Sequence, residues 1–255
     1  SPSSLLPSAS CLLPCLGRNL GGWWRVGLPM VRSKSLVVAL CAAAFALPLS
    51  AARKPSPVTL ETVVKKVQEQ QKNTRTLQAS FRQEKEMALL AEPEVSTGTF
   101  VFSKPNHVLW TYDSPKRVQM LISDGMMTTY YPDLKKAETI DISKFEDRIF
   151  KYMGASGAID ELERYFDFTF TDNASSPTWV LDLTPKNRAV EKRVKRIKIW
   201  IDRKTFLTSK FEYVEADGDM TRYTFENVRV NQPLEQARFT IALPPTVRVE
   251  QMKIQ

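Results

Sequence analysis

Histidine is almost missing from this chain: His107 is the only one. Histidine-based metal sites are therefore out, and a Ser-His-Asp triad would have to rest on His107, which opens a strand-like stretch behind Pro105 and Asn106. A hydrogen-bonded surface histidine is the better reading. Gly-x-Ser-x-Gly, Walker and dinucleotide-binding glycine patterns are absent. The three cysteines, Cys11, Cys15 and Cys41, all precede residue 53, so the remainder can form neither a disulfide nor a thiolate metal site. Long apolar runs are missing too. The longest spans residues 36–47, well short of the roughly 20 residues a helix needs to cross a bilayer. Carboxylates are what remains for catalysis. Asp160, Glu161 and Glu163 form one group and Glu84, Glu86, Glu92 and Glu94 another, but both sit among residues that favour solvent. No enzymatic site and no cofactor or metal is expected, and a carboxylate-only hydrolase ranks as the third hypothesis.

What is there begins with an export signal. From Met30, Arg32 and Lys34 precede the short apolar run, which ends in Pro48, Leu49, Ser50, Ala51 and Ala52. A basic start, an apolar core and small residues at a cleavage site make a secretory signal peptide, with cleavage expected after Ala52. Lipidation at Cys41 is not expected, because Leu40 rather than a small residue precedes it. The expected organisation is residues 1–29 as an upstream extension outside the natural product, 30–52 as signal peptide and 53–255 as a single domain in the periplasm. Arg18, Arg25, Arg32 and Lys34 fall in the first two parts without an acid, so the formal charge of +8 halves for the remainder. The densest basic group is Lys186, Arg188, Lys192, Arg193, Lys195, Arg196 and Lys198. Neither a helix-turn-helix nor an RNA-binding aromatic signature accompanies it, so it reads as a solvated face and no nucleic acid partner is expected.

Leu60, Val63, Val64, Val67 and Gln71 follow helical spacing behind Thr59 as N-cap. After Asn73 the period switches to two. Strands are expected at 77–81, 107–112, 117–122, 128–131, 166–170, 179–183, 197–201, 211–214, 223–228 and 239–243, ten or eleven in all. Asp124-Gly125 and Asp217-Gly218 mark hairpins between them. Residues 143–152 and 158–165 read as a pair of short helices jointed at Gly154 and Gly157. So many antiparallel strands in one domain must split into two sheets or curl into a barrel, with the helices as its plug or lid. Methionines and aromatics are plentiful, which suits an adaptable apolar surface as well as an ordinary core.

Several stretches, in order, resemble the LolA family of lipoprotein carriers. They are Ala79-Ser80-Phe81 with Gln83; Gly98, Phe100, Phe102 and Lys104-Pro105-Asn106; Trp110 and Pro115; and Ser123-Asp124-Gly125. Tyr131-Pro132 with Lys135 and Ala137 follows, then Leu181 with Leu183-Thr184-Pro185-Lys186, Ile199 with Ile201-Asp202, Tyr223 with Phe225, Phe239-Thr240 and Pro244-Pro245. The resemblance spans nearly all of residues 58–250. It implies a mainly β fold, an unclosed antiparallel barrel wrapped over a helical lid, with an apolar cavity between them and no cofactor. It also implies a monomeric periplasmic chaperone that takes acylated lipoproteins from an inner-membrane lipoprotein-releasing ABC transporter and passes them to an outer-membrane acceptor. A periplasmic binder of another lipid, or a sensor or scaffold for lipoprotein state, is the alternative the same fold implies. On alternation, Phe81, Trp110, Met120 and Ile122 should line one face of such a cavity, with Ile149, Phe150 and Leu162 opposite, and Phe100 and Phe102 of the family-like stretch are expected among its liners. The family commonly has Arg before the Pro-Asn pair, tied to lid opening. Lys104 stands there in this chain, keeping the charge without the planar fork.

Overall fold

The computed structural model describes residues 58–87, 92–144, 158–235 and 238–253. The expected signal and upstream segments, Ile149, Phe150 and most of the first expected helix of the pair lie outside them.

Helix α1 (Leu60–Asn73) forms as its spacing predicts. Thr59 Oγ1 accepts from the Thr62 backbone N–H at 3.3 Å, and Val63, Val64 and Val67 are the buried positions. The chain then turns extended at Thr74 and enters β1 (Thr76–Glu86), β2 (Glu94–Ser103), β3 (His107–Ser114), β4 (Val118–Ser123), β5 (Met126–Tyr131) and β6 (Lys136–Asp141). Helix α2 (Ala158–Glu163) precedes β7 (Phe166–Thr171) and β8 (Thr178–Pro185). A one-turn helix α3 (Arg188–Glu191), capped by Asn187, leads to β9 (Val194–Asp202), β10 (Thr208–Glu215), β11 (Met220–Val230) and β12 (Arg248–Met252).

The strands make one unclosed sheet in the order β12-β6-β5-β4-β3-β2-β1-β11-β10-β9-β8-β7. Among the described residues there are twelve strands where ten or eleven are expected, and β2, β6 and β12 fall in none of the expected ranges. Neighbours are antiparallel except β12, which lies parallel to β6. Residues 239–243, expected as a strand, are irregular. They belong to the connection from β11 to β12, where Arg238 Nη1 donates to Gln78 Oε1 at 2.7 Å and the Phe239 ring sits 5.2 Å from that of His107. Pro244 and Pro245 just beyond lack the N–H a ladder needs.

One face of the sheet is apolar and carries two packed clusters. In the first, α1 lays its valines on Trp179, Leu181 and Leu183 of β8 and Ile197, Ile199 and Ile201 of β9, with Ile159 of α2 and Val190 of α3. The second holds Phe102, Val108, Ile122, Met127 and Ile142. On the opposite face, five adjacent strands bear charges of alternating sign in direct register: Glu84, Arg222, Glu212, Lys198 and Asp182. Arg222 Nη2 meets Glu212 at 2.8 Å and its Nη1 meets Glu84 at 3.4 Å. Opposite charges on facing residues favour this pairing, and a one-residue slip would carry them into the core.

This face makes the fold acid-sensitive. The Arg196 guanidinium, donating through Nε at 2.7 Å and through Nη2, holds the Asp182 carboxyl below its usual range, and Arg82, then Arg222, do the same for Glu84. A carboxyl whose folded pKa is depressed contributes stability above its unfolded pKa of about 4, and that contribution is lost as pH falls through the folded value. The melting temperature should therefore drop as pH is lowered below about 4, and Asp182→Asn should flatten that part of the curve. An unchanged acid limb in the variant would show that this pair contributes nothing to it.

Candidate functional site

Phe81, Trp110, Met120 and Ile122, expected to share a face, do so, and Phe100 and Phe102 lie on it with them. Phe100, Trp110 and Met120 form one cross-strand row, and Phe102, Val108 and Ile122 form the next. Phe81 lies opposite Gly98 on β2 and Phe225 on β11. Their burial differs. Phe81, Phe102 and Ile122 are buried, the last two as part of the second cluster, whereas Phe100, Trp110 and Met120 are only half-buried. Three further half-buried aromatics, Tyr112, Tyr223 and Phe225, complete a continuous patch. Trp110 lies 4.6 Å from Phe100, 4.9 Å from Phe81 and 5.5 Å from Tyr223, centroid to centroid. Tyr223 and Phe225 stack nearly parallel at 6.3 Å. All three carry the same period-two phase as the expected liners, so the signal was in the sequence.

Leu162 is not part of this patch. It packs against the first cluster, with α1 and strands β7–β10, and the turn closed by the Tyr165 N–H donating to the Leu162 carbonyl at 3.0 Å leads from α2 directly into β7.

Toward β6 the apolar face becomes polar. The row through Trp110 and Met120 continues to Thr129 and Glu138. Lys136 Nζ bridges Glu138 at 2.7 Å and Glu250 of β12 at 2.9 Å. The Tyr131 hydroxyl, buried beside the Glu138 charge, has its pKa pushed up to about 12.

Lys104 has a defined position. Its Nζ donates to the Lys72 carbonyl at 2.8 Å and the Gln71 carbonyl at 3.1 Å, and its N–H to the Arg75 carbonyl at 2.8 Å. Burial and then the Arg75 charge hold its pKa below the usual lysine value. An ammonium there satisfies the last carbonyls of α1 and complements the helix dipole. Asn231 secures the same corner, accepting from the Arg75 N–H at 2.7 Å and donating to the Asn73 carbonyl at 3.1 Å. Lys104→Ala should cost about 1–2 kcal/mol and raise amide exchange in the last turn of α1, while Lys104→Arg should cost less. Equal exchange in all three proteins would contradict this anchoring.

Among the described residues no group of three or more His, Cys, Asp or Glu could hold a metal ion, and no helix is long and apolar enough to cross a membrane. The architecture defines a class: unclosed, many-stranded antiparallel sheets with one apolar face, partly packed by helix and partly paved with half-buried aromatics.

Within that class the chain belongs to the LolA family. Residues 72–242 match the family described as "Outer membrane lipoprotein carrier protein LolA". The chain is 23% identical over 174 residues to an outer-membrane lipoprotein carrier protein of Pseudomonas putida (strain GB-1), covering 67% of this chain and 79% of that protein. With one from Cupriavidus necator it is 30% identical over 155 residues, 58% of this chain and 67% of the relative. A solved structure of an uncharacterized conserved protein from Thermus thermophilus shares the fold, with a TM-score of 0.51 at 9% identity over 75% of this chain and 98% of that one.

Proposed function

We propose that this chain is a non-enzymatic periplasmic carrier that receives acylated lipoproteins from an inner-membrane ABC transporter and hands them to an acceptor in the outer membrane. The observation that carries this reading is the continuous half-buried patch of Phe100, Trp110, Tyr112, Met120, Tyr223 and Phe225 on the apolar face of an open sheet. Membership of a family of lipoprotein carriers supports it. The chemistry is desolvation. Each methylene kept from water is worth about 0.8 kcal/mol, so a sixteen-carbon chain left in the aqueous periplasm costs roughly 12 kcal/mol. A carrier must offset most of that and still release its cargo. Aromatic and methionine side chains suit the task because they bury large areas of varied shape without demanding one geometry. Lys104 holds the C-terminal end of α1 at the β2–β3 turn in this scheme.

Purification from the native host without detergent, followed by mass spectrometry of the intact protein and its organic extract, tests the proposal. Co-purifying lipoprotein or diacyl lipid is the expected result. A protein that is empty, and that also fails to take up a fluorescent fatty-acyl probe, would sink it.

A further inference from the structure

Four buried side-chain polar atoms among the described residues have no hydrogen-bond partner: Gln71 Oε1, Trp110 Nε1, Trp179 Nε1 and Thr221 Oγ1. Trp179 lies in the first packed cluster, with Phe206 stacked on its ring and Arg203 above it at 4.9 Å. Trp110 alone of the four belongs to the half-buried aromatic patch. Its indole is enclosed by Phe81, Phe100, Tyr223 and Phe225, whose rings offer an N–H only the weak acceptance of a π face. Buried donors in folded proteins are nearly always paired, so one left unpaired inside a binding surface calls for a cause.

The position of Trp110 supplies one. It stands where the apolar face changes character: toward β1 and β11 its neighbours are aromatic, and toward β6 its own row runs through Met120 to Thr129 and Glu138. Strands are about 4.8 Å apart, so Thr129 lies about 10 Å and Glu138 about 14 Å along the sheet from Trp110. An acylated ligand has the same order of parts, with hydrocarbon first, then a carbonyl link, then a polar head. We infer that Trp110 selects carbonyl-linked acyl chains over ether-linked or plain hydrocarbon ones. The neighbouring rings cover its Nε1–H in this structure; an entering chain that turns one of them aside lets the N–H donate to the ester or amide carbonyl, with the hydrocarbon on the aromatic side and the head toward Thr129, Glu138 and Lys136. This rests on the proposed carrier function and narrows it to a ligand chemistry.

Displacement of an environment-sensitive apolar dye by dioctanoylglycerol, against its dioctyl ether counterpart, tests the inference on the whole protein. The wild type should release the dye at about fivefold to tenfold lower concentration of the diester, the range expected of one net hydrogen bond. Trp110→Phe should bring the diester to the diether value and leave the diether unchanged. Because the variant could misfold, indole-labelled wild type gives a second measurement: the Trp110 Nε1–H resonance should move downfield with the diester and stay put with the diether. Equal displacement of dye by both lipids in the wild type overturns the selection but leaves the carrier function standing. Displacement by neither overturns both.

Discussion

Gly98→Val should leave no folded protein, and even Gly98→Ala should cost several kcal/mol. A Cβ at Gly98 would sit 1.9 Å from the Thr111 carbonyl oxygen and 2.9 Å from Phe81 Cζ. The oxygen is backbone in a paired central strand and cannot swing aside as the end of a flexible side chain could. The register between β2 and β3 shifts between Thr97 and Gly98, which brings the two backbones to this close approach, and the Phe81 ring from β1 covers the space a side chain would fill. An aromatic ring over a cross-strand glycine pins register, so the same residue that allows the approach also orients Phe81 against Trp110 and Tyr112. Soluble yield and urea unfolding of Gly98→Ala, beside Thr99→Ala on the exposed face as control, check this. The control should stay within about 0.5 kcal/mol of wild type. A Gly98→Ala protein equally stable would mean that the β2–β3 approach relaxes freely.

Much of this fold could be read from local chemistry. Thr59 and the valine stripe specify α1 because a cap and a 3.6-residue period need no distant partner. Asp124-Gly125 gives a two-residue hairpin because both residues take positive φ, 52° and 73°, as that turn requires. Strand β6 escaped notice because Lys136 and Glu138 occupy the apolar phase ahead of Ile140, and their charges hide the alternation. Strand β12 is polar and short, and it exists through its pairing with β6 after a long connection, which no local signal records. Conversely, 239–243 has the residues of a strand but pairs with none: Arg238 just before it bonds Gln78 and the Phe239 ring lies against His107.

The candidate site divides in the same way. Alternation places a side chain on a face, so it groups Phe81, Trp110, Met120 and Ile122, while Phe100 and Phe102 enter through the family-like stretch around Gly98. Depth is another matter, since it depends on which parts of that face other elements cover. Helix α1 and Leu162 cover the β7–β10 half, and Ile142 closes over Phe102, Val108 and Ile122. The residues left half-buried between these two clusters are the ones a ligand could displace solvent from. The Trp110 N–H illustrates the limit most plainly: a tryptophan in a strand announces bulk and apolarity, whereas an unpaired donor appears only once every neighbour is placed.

Charge introduced at the two kinds of apolar position should therefore produce opposite phenotypes. Ile201 is fully buried in the first cluster, with Trp179 directly opposite it on β8. Ile201→Glu puts a carboxylate where neither water nor a cation can reach it, and several kcal/mol of desolvation is enough to unfold a domain of ordinary stability. Leu162→Glu should tend the same way, since Leu162 packs on that cluster. Met120 is half-buried, and on its row Thr129 and Glu138 already face the same side. Met120→Glu can direct its carboxylate to solvent, so folding should survive with a loss of about 1–2 kcal/mol. The patch it leaves carries an unpaired charge where hydrocarbon must lie, and uptake of a fluorescent fatty-acyl probe should fall at least about tenfold. Circular dichroism and thermal melting separate the variants by folding, and probe titration of the folded ones separates them by binding. A folded Met120→Glu protein that takes up the probe as well as wild type would place the acyl chains somewhere other than on this aromatic face.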